Sequence, residues 1–367
     1  MVDVISVPEP SSESRHGDTD GLIRKVAAID IGTNSTHLLI AAVDTSLGTF
    51  TIELAEKSTT RLGERDPETS ALTDVAMKRG METLRRFREL ATSHAVEEVV
   101  TAATSAVREA PNGRDYLQTI QDELGLAVDL VSGPEEARLI YLGVLSGMSF
   151  GDRPHLILDI GGGSTELILA DGRDSRALTS SRVGAVRLQR DFIKVEPIPP
   201  HRRSFLKTFI QGSLEPAVDK VLRRIKPGEN PVLVATSGTA MAIGALAASE
   251  DDRPPLKLHG YRMSRQRLDR VVEKLVGMSP EQRRQLAPIN ERRAEIIVPG
   301  ALILQTTMQM LGAAELVLSE RALREGLIVD WMLRHGFLED RFSFQSSIRQ
   351  RTVIHQVQRF AVNQTRA

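Results

Sequence analysis

Residues 156–170 read LILDIGGGSTELILA: an apolar run that ends in an aspartate, a glycine-rich turn and a second apolar run. A closely similar stretch, VAAIDIGTNSTHLLIA, occupies residues 26–41, and its Asp30 corresponds to Asp159. Chance is a poor explanation for two such turns, each placed behind a strand-like apolar run. The sequence therefore indicates an internal repeat, and a repeat governs the prediction of the whole fold.

The segments that follow the two copies support a repeat because they occur in the same order. After the first copy, alternating residues predict a third strand, and residues 73–91 predict a helix with one apolar face. After the second copy, a helix is predicted at about 202–224, and the run PVLVATSG at 231–238 predicts a strand. Each half is thus predicted as β-β-β-α-β-α-β-α.

The glycine-rich turn differs from the phosphate loops of P-loop and dinucleotide-binding proteins. Those loops lead from a strand into a helix, whereas here a short strand-like run follows the glycines, which predicts a β-hairpin. Glycines allow backbone N–H groups to approach an anion, and serine or threonine hydroxyls add donors. Two such hairpins facing each other across a cleft are expected to hold opposite sides of one phosphate chain.

Composition narrows the function classes. The chain of 367 residues is long enough for two domains, and its formal net charge of −1 gives no general attraction to nucleic acid or anionic membranes. It contains no cysteine, which excludes disulfides, thiolate metal sites and cysteine nucleophiles. We therefore predict no nucleic-acid partner and no membrane partner.

The two ends of the chain are predicted to differ from the repeated halves. Residues 1–23 are rich in serine, proline and acidic residues and lack the features of a signal peptide, so we predict a disordered tail. No apolar run approaches the roughly 20 residues that span a bilayer, and the predicted location is the cytoplasm. Residues 337–367 are predicted as a C-terminal helical extension, either a trailing helix or, as its apolar stripe favours, the start of a truncated helical domain.

Several motifs together resemble one family. In chain order they are AIDIGTNSTHLLIA, TAATSAVREA, SGPEEARLIYLGV, LDIGGGSTELILA, SRVGAVRL, ATSGTAMAIGAL and ALREGLIVDWML. This order resembles the exopolyphosphatase/guanosine pentaphosphate phosphohydrolase (Ppx/GppA) family of the actin-like ATPase superfamily, over approximately residues 25–336. The resemblance implies an α/β fold of two duplicated ribonuclease H-like (actin-like ATPase) domains, here 24–138 and 139–336, with a cleft between them.

The resemblance also implies a reaction. Such a hydrolase releases terminal orthophosphate from inorganic polyphosphate, or the 5′-terminal phosphate of guanosine pentaphosphate, with Mg²⁺ as cofactor. Polyphosphate is favoured, although the sequence does not separate the two substrates. A kinase of the same superfamily and a non-catalytic actin-like assembly protein are the alternatives from other classes. We include a homodimer among the expected assemblies.

The helix that begins SGPEEARLI is expected to carry the base that activates water. Ser132 and Glu135 have the spacing of a capping box, and Pro134 suits the first helical turn. Glu136 lies about 100° further around the helix and can point elsewhere. In the family motif the second glutamate of this pair matches the catalytic base. We therefore predict Glu136 in this role, with Glu135 as the alternative.

The remaining predicted site residues surround the two turns. The carboxylates of Asp30 and Asp159 suit Mg²⁺, which prefers oxygen ligands; Asp159 is also predicted as a catalytic residue. Arg108, just beyond the strand EEVVTAAT, is predicted to bind phosphate through its planar guanidinium. The predicted phosphate cradle consists of Asn34, Ser35, Gly161, Gly162, Gly163, Ser164 and Thr165.

Other positions remain open between a functional and a structural role. The match to family positions does not decide between these two roles for Arg61, Arg187 and the TSGT turn at 236–239. His37, which corresponds to Glu166 in the repeat, is predicted to be structural. Arginine pairs such as the one at 292–293 are predicted to be solvated surface.

Overall fold

The computed structural model describes residues 22–338 except residue 152. The predicted disordered tail and C-terminal extension lie almost entirely outside the described residues, and both stay predictions. The first strand begins at Ile23, where the predicted tail ends. Within the described residues, no helix is long and apolar enough to cross a membrane.

The first half of the chain forms a five-stranded sheet around the first glycine-rich turn. Its strands are β1 (Ile23–Ile31), β2 (Thr36–Asp44), β3 (Thr49–Ser58), β4 (Glu98–Ala103) and β5 (Val128–Leu130). Their order is β3-β2-β1-β4-β5. Strands β1, β2 and β3 pair antiparallel as a meander, whereas β4 and β5 extend the sheet in parallel with β1.

The second half forms a six-stranded sheet with the same central arrangement. Its strands are β6 (His155–Ile160), β7 (Thr165–Ala170), β8 (Ser175–Ser181), β9 (Val232–Thr236), β10 (Arg262–Ser264) and β11 (Glu315–Leu318). Their order is β10-β11-β9-β6-β7-β8, so β6, β7 and β8 repeat the meander of the first sheet. Strands β6 and β7 are buried along their whole length, which explains their nearly continuous apolar sequence.

The helices connect the strands and cover the sheets. They are α1 (Asp74–Ser93), α2 (Ser105–Arg108), α3 (Gly113–Leu124), α4 (Gly133–Gly147), α5 (Ala185–Phe192), α6 (Pro200–Leu222), α7 (Ser237–Ala248), α8 (Arg265–Gly277), α9 (Pro280–Arg284), α10 (Glu291–Ala294), α11 (Ile297–Met310) and α12 (Leu323–Arg334). The apolar face predicted for the first helix is buried in α1, and Thr73 caps its N-terminus by accepting from the Ala76 N–H.

Two of these helices are exchanged between the halves. Helix α4 contacts β7 and β8 of the second sheet, and α12 contacts β1 and β2 of the first. The helices also cross closely, because a Cβ on Gly143 would lie 1.7 Å from the Ala322 carbonyl oxygen. Core residues of both sheets therefore belong to one apolar cluster. Helix α4 spans residue 138, where the sequence predicts a domain boundary.

Candidate active site

The repeated sequence is a repeated structure. Each turn joins two antiparallel strands through four residues, and in each the first residue donates its N–H to the carbonyl oxygen of the fourth. That N···O distance is 3.1 Å from Gly32 to Ser35 and 2.9 Å from Gly161 to Ser164. The prediction of two β-hairpins is therefore confirmed.

The second turn is fixed by the start of α5. The Gly161 carbonyl oxygen accepts from the Ala185 N–H at 3.0 Å, and the Gly162 carbonyl oxygen accepts from Val186 at 2.9 Å. These bonds engage the turn's carbonyl groups, which would otherwise repel an anion. The two segments approach so closely that a Cβ on Gly184 would lie 2.5 Å from the Gly162 carbonyl carbon, so glycine is required there.

A cleft of about 370 Å³ lies between the sheets and brings most of the predicted site residues together. Both turns line it, as do the first turn of α4 and the residues that precede α12. The TSGT turn at 236–239 also lines it, so this turn completes the cleft. The predicted residues that line the cleft are Asp30, Asn34, Ser35, Glu136, Asp159, Gly161, Gly162, Gly163 and Ser164.

The cleft contains a cluster of acidic side chains. Burial, together with the charge of Glu136, raises the pKa of Asp159 to about 7. Burial and Glu136 also raise the pKa of Asp30 to about 7. Glu166, which the sequence analysis did not single out, has its pKa raised by burial, Glu136 and Asp159. Ionised carboxylates carry like charges and repel one another. Each ionised group therefore disfavours ionisation of its neighbours.

Glu136 is held in place by Arg108, a residue that does not itself line the cleft. Its side chain is 9 % exposed, and Arg108 Nη1 donates to its Oε2 at 3.0 Å and to the Val131 carbonyl oxygen at 2.7 Å. Burial raises the pKa of Glu136, and the charge and hydrogen bond of Arg108 oppose that rise. Glu135 instead pairs with Arg138, and of the two glutamates Glu136 is the one that lines the cleft.

Three basic side chains that the sequence analysis did not assign to the site also line the cleft: Lys57, Arg293 and Arg324. Burial, together with the charges of Arg293 and Arg324, lowers the pKa of Lys57 to about 8. The prediction of solvated surface is wrong for Arg293. The motif ALREG contains Arg324 and could have indicated it; nothing in the local sequence distinguishes Lys57.

Two predicted site residues make contacts away from the cleft. The Thr165 hydroxyl donates to the Val183 carbonyl oxygen at 2.6 Å, and Thr165 is not among the described residues that line the cleft. Arg108 is also absent from that lining, since its guanidinium lies on Glu136 and the backbone. Its geometry is that of a residue that positions Glu136. His37 lies on β2 and does line the cleft, with a pKa that burial and Arg324 lower well below its usual value.

The acidic cluster fits a divalent cation that is bound mainly through water and substrate. Asp30 Oδ1 is a buried carboxylate oxygen with no hydrogen-bond partner in the described part of the chain. Within residues 22–338 except 152, no three or more His, Asp or Glu side chains are arranged to hold a metal directly. Mg²⁺ is commonly held by one or two carboxylates together with waters and phosphate oxygens, and the unpartnered carboxylate of Asp30 is a group that could hold it.

The fold and the site define a phosphatase with the actin-like ATPase fold. The Ppx/GppA phosphatase family matches residues 39–335, and the chain belongs to this family. Exopolyphosphatase 2 of Mycobacterium tuberculosis is 31% identical over 316 residues, which cover 83% of this chain and 98% of that protein. Membership makes the chain a hydrolase of the exopolyphosphatase type, acting on phosphoanhydrides.

Solved structures agree with this assignment. The crystal structure of an exopolyphosphatase from Cytophaga hutchinsonii is 26% identical with a TM-score of 0.79, over 85% of this chain and 98% of that one. The Aquifex aeolicus Ppx/GppA family member is 27% identical with a TM-score of 0.71, over 85% and 99%. The predicted fold class is therefore confirmed.

Proposed function

We propose that the protein removes the terminal phosphate of a condensed phosphate chain, and that inorganic polyphosphate is its substrate. The observation that carries this proposal is the position of Glu136, a buried carboxylate held by Arg108 in a cleft that also contains both glycine-rich turns. A general base needs a fixed position beside the reacting group and a pKa near the working pH. Arg108 fixes the position of the Glu136 carboxylate, and burial raises its pKa above the ordinary value for a glutamate while the charge and hydrogen bond of Arg108 oppose that rise.

Two observations support inorganic polyphosphate over guanosine pentaphosphate. The relative from Mycobacterium tuberculosis is named an exopolyphosphatase. In addition, the Arg293 guanidinium lies against the TSGT turn, where a Cβ on Gly238 would be 2.1 Å from Nη2. The resemblance to the actin-like superfamily implies that its nucleotide-binding members use this turn at the adenosine, and here a charged side chain occupies the surface of the turn.

Guanosine pentaphosphate remains the second candidate because of another relative. Guanosine-5′-triphosphate,3′-diphosphate pyrophosphatase of Photobacterium profundum is 30% identical over 318 residues, which cover 86% of this chain and 61% of that protein. Its name supports a nucleotide substrate with the same terminal phosphoanhydride.

In the proposed reaction, Glu136 accepts a proton from a water molecule as the water oxygen attacks the terminal phosphorus. The bridging P–O bond on the opposite side breaks, which gives orthophosphate and a chain shorter by one phosphate. The N–H groups of the two turns and the side chains of Lys57, Arg293 and Arg324 neutralise charge on the phosphate oxygens. Mg²⁺, held by Asp30 and Asp159 with waters, would neutralise further phosphate charge when bound.

The proposal is tested by measuring orthophosphate release from polyphosphate and guanosine pentaphosphate, with Mg²⁺ and without added ADP or sugar. We expect Glu136→Gln to lower release by about a hundredfold or more, which is typical for loss of a general base. Glu135→Gln is the matched control, because this neighbouring side chain pairs with Arg138 outside the cleft. Undiminished release by Glu136→Gln would contradict the proposal, and the faster substrate identifies the preferred one.

A further inference from the structure

A second cavity, of about 620 Å³, adjoins the cleft at the tips of the two turns. Thr33 of the first turn and Gly163 of the second line both cavities. The rest of the lining comes from the segment after β3, from α2 and from α5 with the residues that follow it. A ligand that extends past the turn tips therefore enters this second cavity.

The charged side chains of this cavity leave an excess of positive charge. Four basic residues and three carboxylates line it. Each carboxylate is already engaged. Glu109 accepts from Ser105 and Arg187, and Asp191 accepts from Arg190. Asp66 accepts from the backbone and hydroxyl of Thr69. The basic residues are Arg65, Arg187, Arg190 and Lys194.

Two of these cations have unused hydrogen-bonding capacity. Arg65 donates from Nη2 to the Ala106 carbonyl oxygen, but its buried Nη1 has no partner among the described residues. Lys194 is exposed, and its Nζ donates to one carbonyl oxygen, that of Arg190. Burial and the nearby charges of Arg190 and Arg187 lower the pKa of Arg65, and the charge of Glu109 opposes that shift only in part.

We propose that the second cavity is a phosphate subsite in which Arg65 and Lys194 bind a phosphoryl group beyond the turn tips. The guanidinium and ammonium groups both suit the tetrahedral, multiply charged oxygens of phosphate. Such a group has two sources: the inner phosphates of a long substrate chain, or orthophosphate that has left the cleft. The first source rests on the proposed function and would make this cavity a determinant of chain length.

The subsite is tested by calorimetric binding of long-chain polyphosphate, tripolyphosphate and orthophosphate to the Glu136→Gln protein, in which hydrolysis of the probes is expected to be slow. Arg65→Met and Lys194→Met are introduced separately into this background. The exposed Lys194 side chain can be removed without a buried contact, so its variant remains informative if Arg65→Met is unstable. Arg223→Met is the charge-matched control, because its side chain is 80% exposed and lines neither cavity.

Loss of a charge-assisted hydrogen bond is expected to weaken binding by about tenfold or more. Weaker binding of long-chain polyphosphate, with tripolyphosphate unchanged within about twofold, supports the inner phosphates as the source. Weaker binding of orthophosphate supports the released product, and this result would hold even if the protein bound no polyphosphate and the proposed function failed. Affinities equal to those of the Arg223→Met control for all three probes would overturn the proposal.

Discussion

Replacing Arg108 with methionine is expected to raise the pKa of Glu136 and to move the acidic limb of the pH–rate profile to higher pH. Arg108 is the cation that hydrogen-bonds Glu136, through Nη1 at 3.0 Å. Its charge and hydrogen bond both favour the ionised carboxylate, whereas burial and the charge of Glu109 favour the protonated form. Without Arg108 only the effects that raise the pKa remain, so the base is protonated over a wider pH range.

The magnitude follows from the kind of contact that is lost. A hydrogen bond to a charged group contributes about 1.5–3 kcal/mol, and one pKa unit corresponds to about 1.36 kcal/mol. The limb should therefore move by about one to two pH units. At pH values below the shifted pKa, the rate of orthophosphate release should fall by about 10- to 100-fold, and it should recover as the pH rises above that value.

The assay is the rate of orthophosphate release from polyphosphate as a function of pH at saturating substrate. Arg85→Met is the matched control, since Arg85 forms an ion pair with Glu123 on the exposed surface of the same half. It should leave the limb in place. A lower rate for Arg108→Met with an unmoved acidic limb would refute the reasoning, because it would show that Arg108 acts on the substrate and does not tune the base.

Three further predictions concern the stability of the fold and the geometry of the turns. Because the folded protein raises the pKa of Asp30 and Asp159 from 3.8 to about 7, it binds more protons than the unfolded chain over that range. In EDTA, the free energy of unfolding should therefore fall as the pH rises from about 3.8 to about 7. Added Mg²⁺ should restore stability near pH 7. Thermal unfolding measures both effects. Gly184→Ala should displace the second turn and lower kcat. Gly212→Ala, whose Cβ meets nothing within 4 Å, should preserve kcat and add about 1 kcal/mol of stability in urea unfolding. Phe87→Ala removes a fully buried ring and should cost about 3–5 kcal/mol of unfolding free energy, measured in the same way.

The hairpins could be predicted from sequence because each signal is local. An apolar run, four turn residues and a second apolar run occupy consecutive positions, and the repeat doubles the evidence. Two short elements could not be predicted in this way. Strand β10 spans three residues and α2 spans four, which is too short for a period of two or 3.6 residues to show. Both are fixed by the neighbours against which they pack.

The site was predictable only where its residues belong to those local signals. The turns and Glu136 are parts of recognisable motifs, and the structure brings them to one cleft. Lys57 and Arg293 reach the same cleft from distant segments, one at the end of β3 and one in α10. An arginine beside a second arginine is typical of a solvated surface, and only the tertiary packing of α10 against the TSGT turn makes Arg293 a lining residue.

One difference between the two copies changes the charge of the side chains that line the cleft. Asp30 pairs across its hairpin with His37, and Asp159 pairs across the equivalent hairpin with Glu166. Burial keeps His37 neutral, and the charge of Arg324 acts in the same direction. Glu166 instead adds a carboxyl to the side where Asp159 and Glu136 already lie. In the proposed function the two turns hold a phosphate chain from both sides, and the exchange of His37 for Glu166 places one more carboxyl close to Asp159 and the proposed base Glu136.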